Sequence, residues 1–353
     1  MAKHQAPDRH PVHDRVAIRT TALAMAGLTL FVIAMIASYS GAFAKPMLHH
    51  MAVAVAGPQQ VVDGIRGQDA LSVTAVGDDA AARAQVYERK TDAGFVVAPS
   101  GQMKIYVAGG GGRSVATAAE TVGRTIAANA GLAASVEDVA PASAGDPSGT
   151  VEFYAIIFIS IGASVGATVL GRLMGTVRRP LTLALRTATL AGYSAVLAAG
   201  VTFYVDVILG ALTGHTWQVF GVLWLYAMAV GGAITGVAAA FGSVASMALT
   251  AFLVVIGNAA AAGPVGRPLL SGFYSTFTAI VPQGSGVSLL RSVEYFGGNG
   301  AQTPLVTLAI WTATGCLLAI VATASRLNYR ALYERFAERD RALLRPRLLS
   351  PAD

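Results

Sequence analysis

The stretch VPQGSGVSLLRSVEYFGGNG, Val281–Gly300, lies between the last two long apolar runs of a 353-residue chain. Its proline and glycines interrupt it too often for a membrane-spanning helix, yet it is too apolar for an ordinary loop. Apolar residues follow helical spacing on both sides of Pro282, from Leu269 to Ile280 and again after the glycines. The pattern predicts two short amphipathic helices that form a broken hairpin at 264–302.

Composition and run length place the rest of the chain in a membrane. Of its residues, 54% are hydrophobic and 12% are charged, whereas a soluble domain carries roughly 25% charged residues. A helix needs about 20 mostly apolar residues to cross the hydrocarbon core, and continuous apolar runs favour helices over a barrel. We therefore predict an α-helical polytopic membrane protein with six transmembrane helices. They are Thr20–Ala44, Phe153–Leu173, Leu181–Val207, Trp217–Ala240, Val244–Ala262 and Leu305–Ser325.

Basic residues concentrate in three segments that would lie on one side of these spans. The segments are the N-terminal tail, the link after the second span and the C-terminal tail. The positive-inside rule makes them cytoplasmic, so residues 1–19 and 326–353 are predicted to be cytoplasmic tails. Residues 45–150 hold eight basic and ten acidic residues and are predicted to lie outside. This sorting accounts for the pI of about 9.6 without a nucleic-acid partner.

The first apolar run, 20–44, ends in Ala42-Phe43-Ala44, which has the small residues of a signal-peptidase site. The run is longer than the 7–15 residues of a signal-peptide core, so we expect it to remain as an anchor. The one cysteine of the chain, Cys316, lies inside the last span, and no disulfide can form within a single chain.

Residues 45–150 have the pattern of an extracytoplasmic α/β domain inserted between the first and second spans. Short β-prone runs alternate with helical stretches in the order β-α-β-α-β-β-α-β. A Pro/Gly/Ser-rich link at 141–149 leads into the bundle of the remaining spans, 151–325. The strand-like runs are Met51–Gly57, Leu71–Val76, Gly94–Pro99, Lys104–Gly109 and Ala134–Val139.

Polar residues within apolar runs are costly in lipid and are functional candidates by default. Tyr204 and Asp206 lie near the outer end of the third span, Tyr226 lies in the fourth and Asn258 in the fifth. We predict a substrate path between helices that these four residues line. The alternative is that Asp206 sits at the membrane interface and the others form interhelical hydrogen bonds.

Within the hairpin, the residues of interest are Pro282, Arg291, Glu294 and Tyr295. Arg291 is the most costly to place, because a guanidinium near lipid needs a carboxylate, backbone carbonyls or a lipid headgroup. Glu294 is three residues away and can share its helix face, and Asp206 is the second candidate acid. We expect the hairpin to dip into the outer leaflet and to gate an exit.

Other motifs predict no chemistry. The glycine run Gly109–Gly112 lacks the GK[ST] of a phosphate-binding loop and is interpreted as a plain turn. His49 and His50 have no converging ligands that would make a metal site. No Ser/His/Asp arrangement stands out, so we predict neither an enzyme nor a cofactor. Two GxxxG matches, Gly162–Gly166 and Gly232–Gly236, mark candidate close contacts between helices.

One span, a large outer domain, five further spans and a broken hairpin before the last resemble ABC-2-type permeases. The closer likeness is to the phage-infection-protein-like (YhgE/Pip) and DUF3533-type branch of bacterial membrane proteins. It is mainly architectural and covers nearly the whole chain. It implies a plasma-membrane homodimer or complex that exports lipophilic or cell-envelope molecules. The matching residues are Asp146-Pro147-Ser148-Gly149, Phe153-Tyr154, Ile280-Val281-Pro282, Leu290-Arg291 and Tyr295-Phe296.

ABC-2 permeases usually couple to a separate ATPase through a cytoplasmic helix between the second and third spans. Here that link is only 174–180 and contains no acid, which departs from the family pattern and counts against ATPase coupling. If the link does couple to an ATPase, Arg178 and Arg179 are the candidate coupling residues. The leading hypothesis is an export permease without its own ATPase. The rival is a non-transporting envelope receptor or assembly partner whose outer domain binds another protein. A membrane-embedded transferase is a weaker third.

Overall fold

The structure, a computed structural model, describes residues 11–175 and 180–343. The predicted coupling residues Arg178 and Arg179 lie outside this range. The described residues form a helical bundle and one five-stranded sheet. The long helices are α1 (Pro11–Phe43), α5 (Val151–Met174), α6 (Pro180–Phe203), α7 (Thr216–Phe241) and α11 (Gln302–Leu343). The shorter ones are α2 (Gln59–Arg66), α3 (Asp79–Tyr87), α4 (Arg113–Asn129), α8 (Ser243–Phe252), α9 (Gly272–Thr278) and α10 (Pro282–Tyr295).

Five helical stretches of the described chain are long and apolar enough to cross a membrane, as expected of a multi-pass membrane protein. Their mean hydropathy runs from 1.5 to 2.2. The first of them buries none of its most apolar window against the rest of the chain, which is the pattern of a helix that faces lipid. The stretches are Val16–Phe43, Val151–Met174, Leu181–Ile208, Thr216–Phe241 and Gln302–Leu327.

The predicted fifth span, Val244–Ala262, is a shorter helix than expected. Helix α8 and the π-helical turn that follows it cover Ser243–Gly257, a length of about 22 Å at 1.5 Å per residue. This falls short of the hydrocarbon core of roughly 30 Å. Ala262 then adopts a positive φ of 56°, and the chain leaves helical geometry before Pro264. A count of six spans is therefore not confirmed.

The predicted α/β domain is present with the predicted order of elements. Strands β1, β2 and β3 are parallel, β4 is antiparallel to β3, and β5 is parallel to β4. The sheet order is β2-β1-β3-β4-β5. Asp78 caps α3 by accepting the N–H of Ala81 at 2.7 Å. The strands are β1 (Met51–Ala56), β2 (Leu71–Ala75), β3 (Ala93–Val97), β4 (Gln102–Val107) and β5 (Ala133–Asp138).

The sheet is covered on both faces, because successive strand residues point to opposite sides. Met51, Val53 and Val55 pack against α2 and α4 on one face, and Ala54 and Ala56 pack near α3 on the other. Each face of the sheet thus has an apolar core, and two residues that flank α9 and α10 pack into these cores from outside the domain. Leu269 belongs to the first core and Phe296 to the second. The segment 264–296 therefore holds the sheet from both faces.

Helix α7 forms the centre of the bundle and packs against α5, α6, α10 and α11. Its glycine pair Gly232–Gly236 meets Gly315 of α11 so closely that a Cβ on Gly236 would overlap the carbonyl of Gly315. The other pair also makes a close contact, since a Cβ on Gly166 would overlap the ring of Tyr193 on α6. Both candidate GxxxG contacts are thus present in the structure.

Gly236→Ala should destabilise the protein by about 1–3 kcal/mol, because the added methyl forces α7 and α11 apart. Gly221→Ala is the matched control on the same helix, where an added Cβ meets nothing within 4 Å. The control should be neutral or stabilising, because alanine has the higher helix propensity. Thermal unfolding of both purified variants in detergent measures the difference. Equal melting temperatures would contradict the close contact.

Candidate functional site

Helix α10 is enclosed by the bundle along most of its length. The residues Pro282–Val287 and Leu289–Ser292 are buried, and α5, α7 and α11 pack around the helix. Pro282 occupies the first turn, where its missing N–H leaves no bond unmade. The prediction of two amphipathic helices in the hairpin at 264–302 is therefore wrong for the second helix. Its first helix, α9, is partly exposed, but its second is an internal helix and not an amphipathic piece at the surface.

The packing of α10 explains two glycines that the sequence analysis took for a break. A Cβ on Gly284 would overlap the carbonyl of Thr278, and one on Gly286 would lie 2.6 Å from Cδ1 of Ile156. A side chain at either position would push α10 out of its place. The glycines allow close approach, and the helix runs through them from Pro282 without interruption.

Arg291, near the end of α10, is only 4% exposed, and its guanidinium donates to four backbone carbonyls. Nη1 donates to Gly111 at 3.0 Å and to Ala262 at 3.4 Å. Nη2 donates to Gly149 and to Gly263, each at 3.1 Å. These carbonyls belong to the turn before α4, the residues before α5 and the loop after α8. One planar cation with five donors therefore joins three separate segments.

The two acids predicted as partners of Arg291 bind elsewhere. Glu294 Oε1 accepts the N–H of Gly214 at 2.8 Å, in the loop between α6 and α7. Asp206 accepts the hydroxyl of Thr216. A spacing of three residues places Glu294 beside Arg291 in sequence, but the two side chains turn toward different loops. Backbone carbonyls, one of the three expected kinds of partner, hold the guanidinium instead.

Glu152, in the first turn of α5, is a buried carboxylate that the sequence analysis missed. It is fully buried and lies within electrostatic range of Arg291 and the Tyr295 hydroxyl. It makes no side-chain hydrogen bond of standard geometry within the described residues. Burial and the neighbouring Glu152 charge raise the pKa of Tyr295, so the phenol keeps its proton. The sequence gives no signal that Glu152 is buried, because a glutamate at the boundary of an apolar span usually faces water.

The glycine run Gly109–Gly112 is a turn, as predicted, and it also receives the end of α10. A Cβ on Gly110 would overlap the ring of Tyr295. Gly112 has a φ of 139°, and a Cβ there would lie 3.3 Å from Nη1 of Arg291. Glycine is needed at both positions for α10 to pack against the α/β domain of residues 45–150, which we call the sheet domain. The predicted hairpin residues Arg291 and Tyr295 thus meet at this turn.

A cavity of about 380 Å³ lies where the sheet domain meets α10 and α11. Three arginines line it, Arg89, Arg267 and Arg291, together with Asp92, and we call it the arginine cavity. Asp92 accepts the N–H of Ala52 at 2.9 Å. Burial raises the pKa of Asp92, and its carboxyl group lies within electrostatic range of Arg89 and Arg267.

Arg89 reaches the arginine cavity from the residues after α3, with a φ of 58° that L-residues seldom adopt. Its guanidinium donates to the carbonyl of Ser288 at 2.7 Å and to the hydroxyl of Ser292. It lies 5.0 Å from the ring centre of Phe296, within cation–π range. Burial and the charge of Arg291 lower the pKa of Arg89 to about 10. Arg89 therefore remains charged at neutral pH.

The four predicted path residues separate into two places. Tyr204 is 54% exposed and shares the π-helical turn Tyr204–Ile208 with Asp206. Tyr226 and Asn258 are buried inside the bundle. Tyr39 of α1 lies within interaction range of both buried residues. The structure therefore places Tyr226 and Asn258 each near Tyr39 and leaves Tyr204 and Asp206 at the end of α6.

Tyr226 and Asn258 belong to a buried polar cluster with Ser160 and Gln283. Gln283 Nε2 donates to the Ser160 hydroxyl at 3.2 Å and to the carbonyl of Leu253 at 2.8 Å. Within the described residues, Gln283 Oε1, the Tyr226 hydroxyl and the Asn258 amide make no hydrogen bond of standard geometry. Each unsatisfied buried group costs about 1–3 kcal/mol. Such a cluster inside an apolar bundle therefore calls for a functional reason.

Arg291→Gln should destabilise the protein by roughly 3 kcal/mol or more, because a neutral amide cannot satisfy four carbonyls in three segments. Loss of this junction should also expose the link 141–149 to protease. Arg124→Gln is the control, since Arg124 pairs with Glu120 on an exposed helix face. Thermal unfolding and limited proteolysis measure both effects. If Arg291→Gln had the same melting temperature and the same protease resistance as the control, Arg291 would not stabilise the junction.

Within 11–175 and 180–343, no group of three His, Cys, Asp or Glu side chains is arranged to hold a metal ion. His49 lies at the surface, with Nδ1 2.6 Å from the carbonyl of Met47.

Comparison of the chain with known protein families, with curated proteins and with solved structures finds no match.

Proposed function

We propose that this chain is an export permease of ABC-2-like architecture that moves a lipophilic or cell-envelope molecule outward. It has no ATPase of its own and would work as a homodimer or within a membrane-protein complex, with a separate ATPase as a possible partner. In this proposal the protein lies in a bacterial plasma membrane, both termini are cytoplasmic and the sheet domain is outside. The basic N-terminal, linking and C-terminal segments support that orientation.

The buried polar cluster is the observation that carries the proposal. Ser160, Tyr226 and Gln283 come from three different helices, α5, α7 and α10, and meet among apolar neighbours. The Tyr226 hydroxyl and Gln283 Oε1 make no hydrogen bond of standard geometry within the described residues, and each such buried group costs about 1–3 kcal/mol. Groups of this kind inside a membrane bundle mark substrate or ion paths. A broken segment such as α9–α10 is likewise found where helices surround a path.

A non-transporting receptor or assembly partner is the second candidate. The observation in its favour is the dense packing of the bundle, with α7 and α11 in backbone contact at Gly236 and Gly315. The separation of Tyr204 and Asp206 from Asn258 also favours it. In that case the sheet domain would bind another protein, and the bundle would serve as its anchor.

The proposed orientation predicts one-sided labelling in intact cells. With Cys316→Ser as background, Ser100→Cys in the turn between β3 and β4 should react with an impermeant maleimide. Glu338→Cys, on the part of α11 beyond its apolar stretch, should react only after the cells are opened. Labelling of Glu338→Cys in intact cells would overturn the orientation.

Transport predicts that the buried polar cluster becomes accessible to water during turnover. In the same background, Ser160→Cys should react with a small impermeant methanethiosulfonate in energised cells, over minutes. Ala198→Cys is the control, because Ala198 is equally buried, on α6. Depletion of ATP should stop the reaction at position 160 if an ATPase drives opening. A Ser160→Cys that stays as protected as Ala198→Cys would refute transport and leave the receptor or assembly role.

A further inference from the structure

The arginine cavity is a site that neither transport nor anchoring requires. Its walls come from both halves of the molecule, with Arg89 and Asp92 from the sheet domain, Ser288 and Arg291 from α10, and Thr307 from α11. Its volume of about 380 Å³ matches the lower end of small-molecule sites. A cavity of this kind can take one small polar group.

Three arginines of the arginine cavity outnumber the two carboxylates near them, Asp92 on the cavity wall and Glu152 within electrostatic range of Arg291. The half-buried side chain of Arg89 and the buried side chain of Arg291 are near enough for the charge of Arg291 to lower the pKa of Arg89. Neither guanidinium is hydrogen-bonded to a carboxylate within the described residues. Arg267 adds a third cation at the rim, where its Nε donates to the Ser275 carbonyl at 3.3 Å. Like charges that are taken out of water repel strongly unless an anion lies between them.

Donors remain available inside the cavity for such an anion. Ser285 and Ser288 of α10 line the cavity and offer hydroxyl groups. Arg89 and Arg267 line it as well, and each guanidinium carries five N–H donors, more than the hydrogen bonds that these two side chains make to Ser288, Ser292 and Ser275.

We infer that the arginine cavity binds a phosphate group, either as the headgroup of an anionic lipid or as a free phosphate. A tetrahedral phosphate presents several oxygens at once, and arginine forks bind such an anion with paired N–H groups. A carboxylate has two oxygens and would satisfy the third cation poorly. The inference does not rest on the proposed function and holds whether the chain transports or not.

The test is ligand-dependent thermal unfolding of the purified full chain in a non-ionic detergent. The probes are dioctanoyl phosphatidylglycerol, inorganic phosphate, and dioctanoylglycerol as a lipid with the same tails and no phosphate. Phosphatidylglycerol should raise the melting temperature in a saturable way, and dioctanoylglycerol should not. If inorganic phosphate by itself raises the melting temperature, the ligand is a free phosphate. If only phosphatidylglycerol raises the melting temperature, the ligand is a lipid headgroup.

Variants locate the binding. Arg89→Gln should weaken the apparent affinity about 10- to 100-fold, the expected loss of a charge-assisted hydrogen bond. Arg267→Gln should weaken it about 10-fold, and this exposed side chain keeps the test valid if Arg89→Gln does not fold. Arg124→Gln should bind as the unaltered protein does. The inference would be overturned if dioctanoylglycerol raised the melting temperature as much as phosphatidylglycerol, or if neither phosphate probe raised it. Unchanged affinity in both Arg267→Gln and Arg89→Gln would overturn it as well.

Discussion

A single guanidinium, that of Arg291, fixes how the sheet domain sits on the membrane bundle. Its carbonyl partners stand before α4, before α5 and after α8, so three chain segments end at one point. Around it, Gly110 and Gly112 let α10 approach the sheet domain, and the buried carboxylate of Glu152 offsets part of the charge. Without this cation, the carbonyls would face one another across an apolar junction and each would lack a donor.

Helix α10 carries polar groups that take part in two separate sites. Gln283 in its first turn joins the buried polar cluster within the bundle, and Arg291, toward its C-terminal end, contacts the sheet domain. Val287, Leu289 and Leu290 between them belong to the apolar core of the bundle. The proposed path and the arginine cavity are therefore built on one helix.

Sequence reasoning predicted the features that depend on periodicity and failed on those that depend on packing. Long apolar runs located five candidate spans, and short β-prone runs located the strands, because each signal resides in neighbouring residues. The burial of α10 could not be predicted, since Gly284 and Gly286 look alike whether they break a helix or allow a close approach. The partners of Arg291 are carbonyls, which every residue possesses, so no side-chain pattern identifies them. Val244–Ala262 has the composition of a span, and only the backbone shows that its helix ends early.

Leu269 and Phe296 pack on opposite faces of the sheet, and this packing couples the motion of the sheet domain to that of α10. Because both residues are buried in the cores of the sheet domain, that domain cannot turn on the bundle without carrying the end of α10 with it. Helix α10 has 14 residues and a length of about 21 Å. A tilt of about 5° at its sheet end displaces Gln283 by about 2 Å over that length. A load on the sheet domain is thus transmitted along α10 to Gln283, inside the helical bundle.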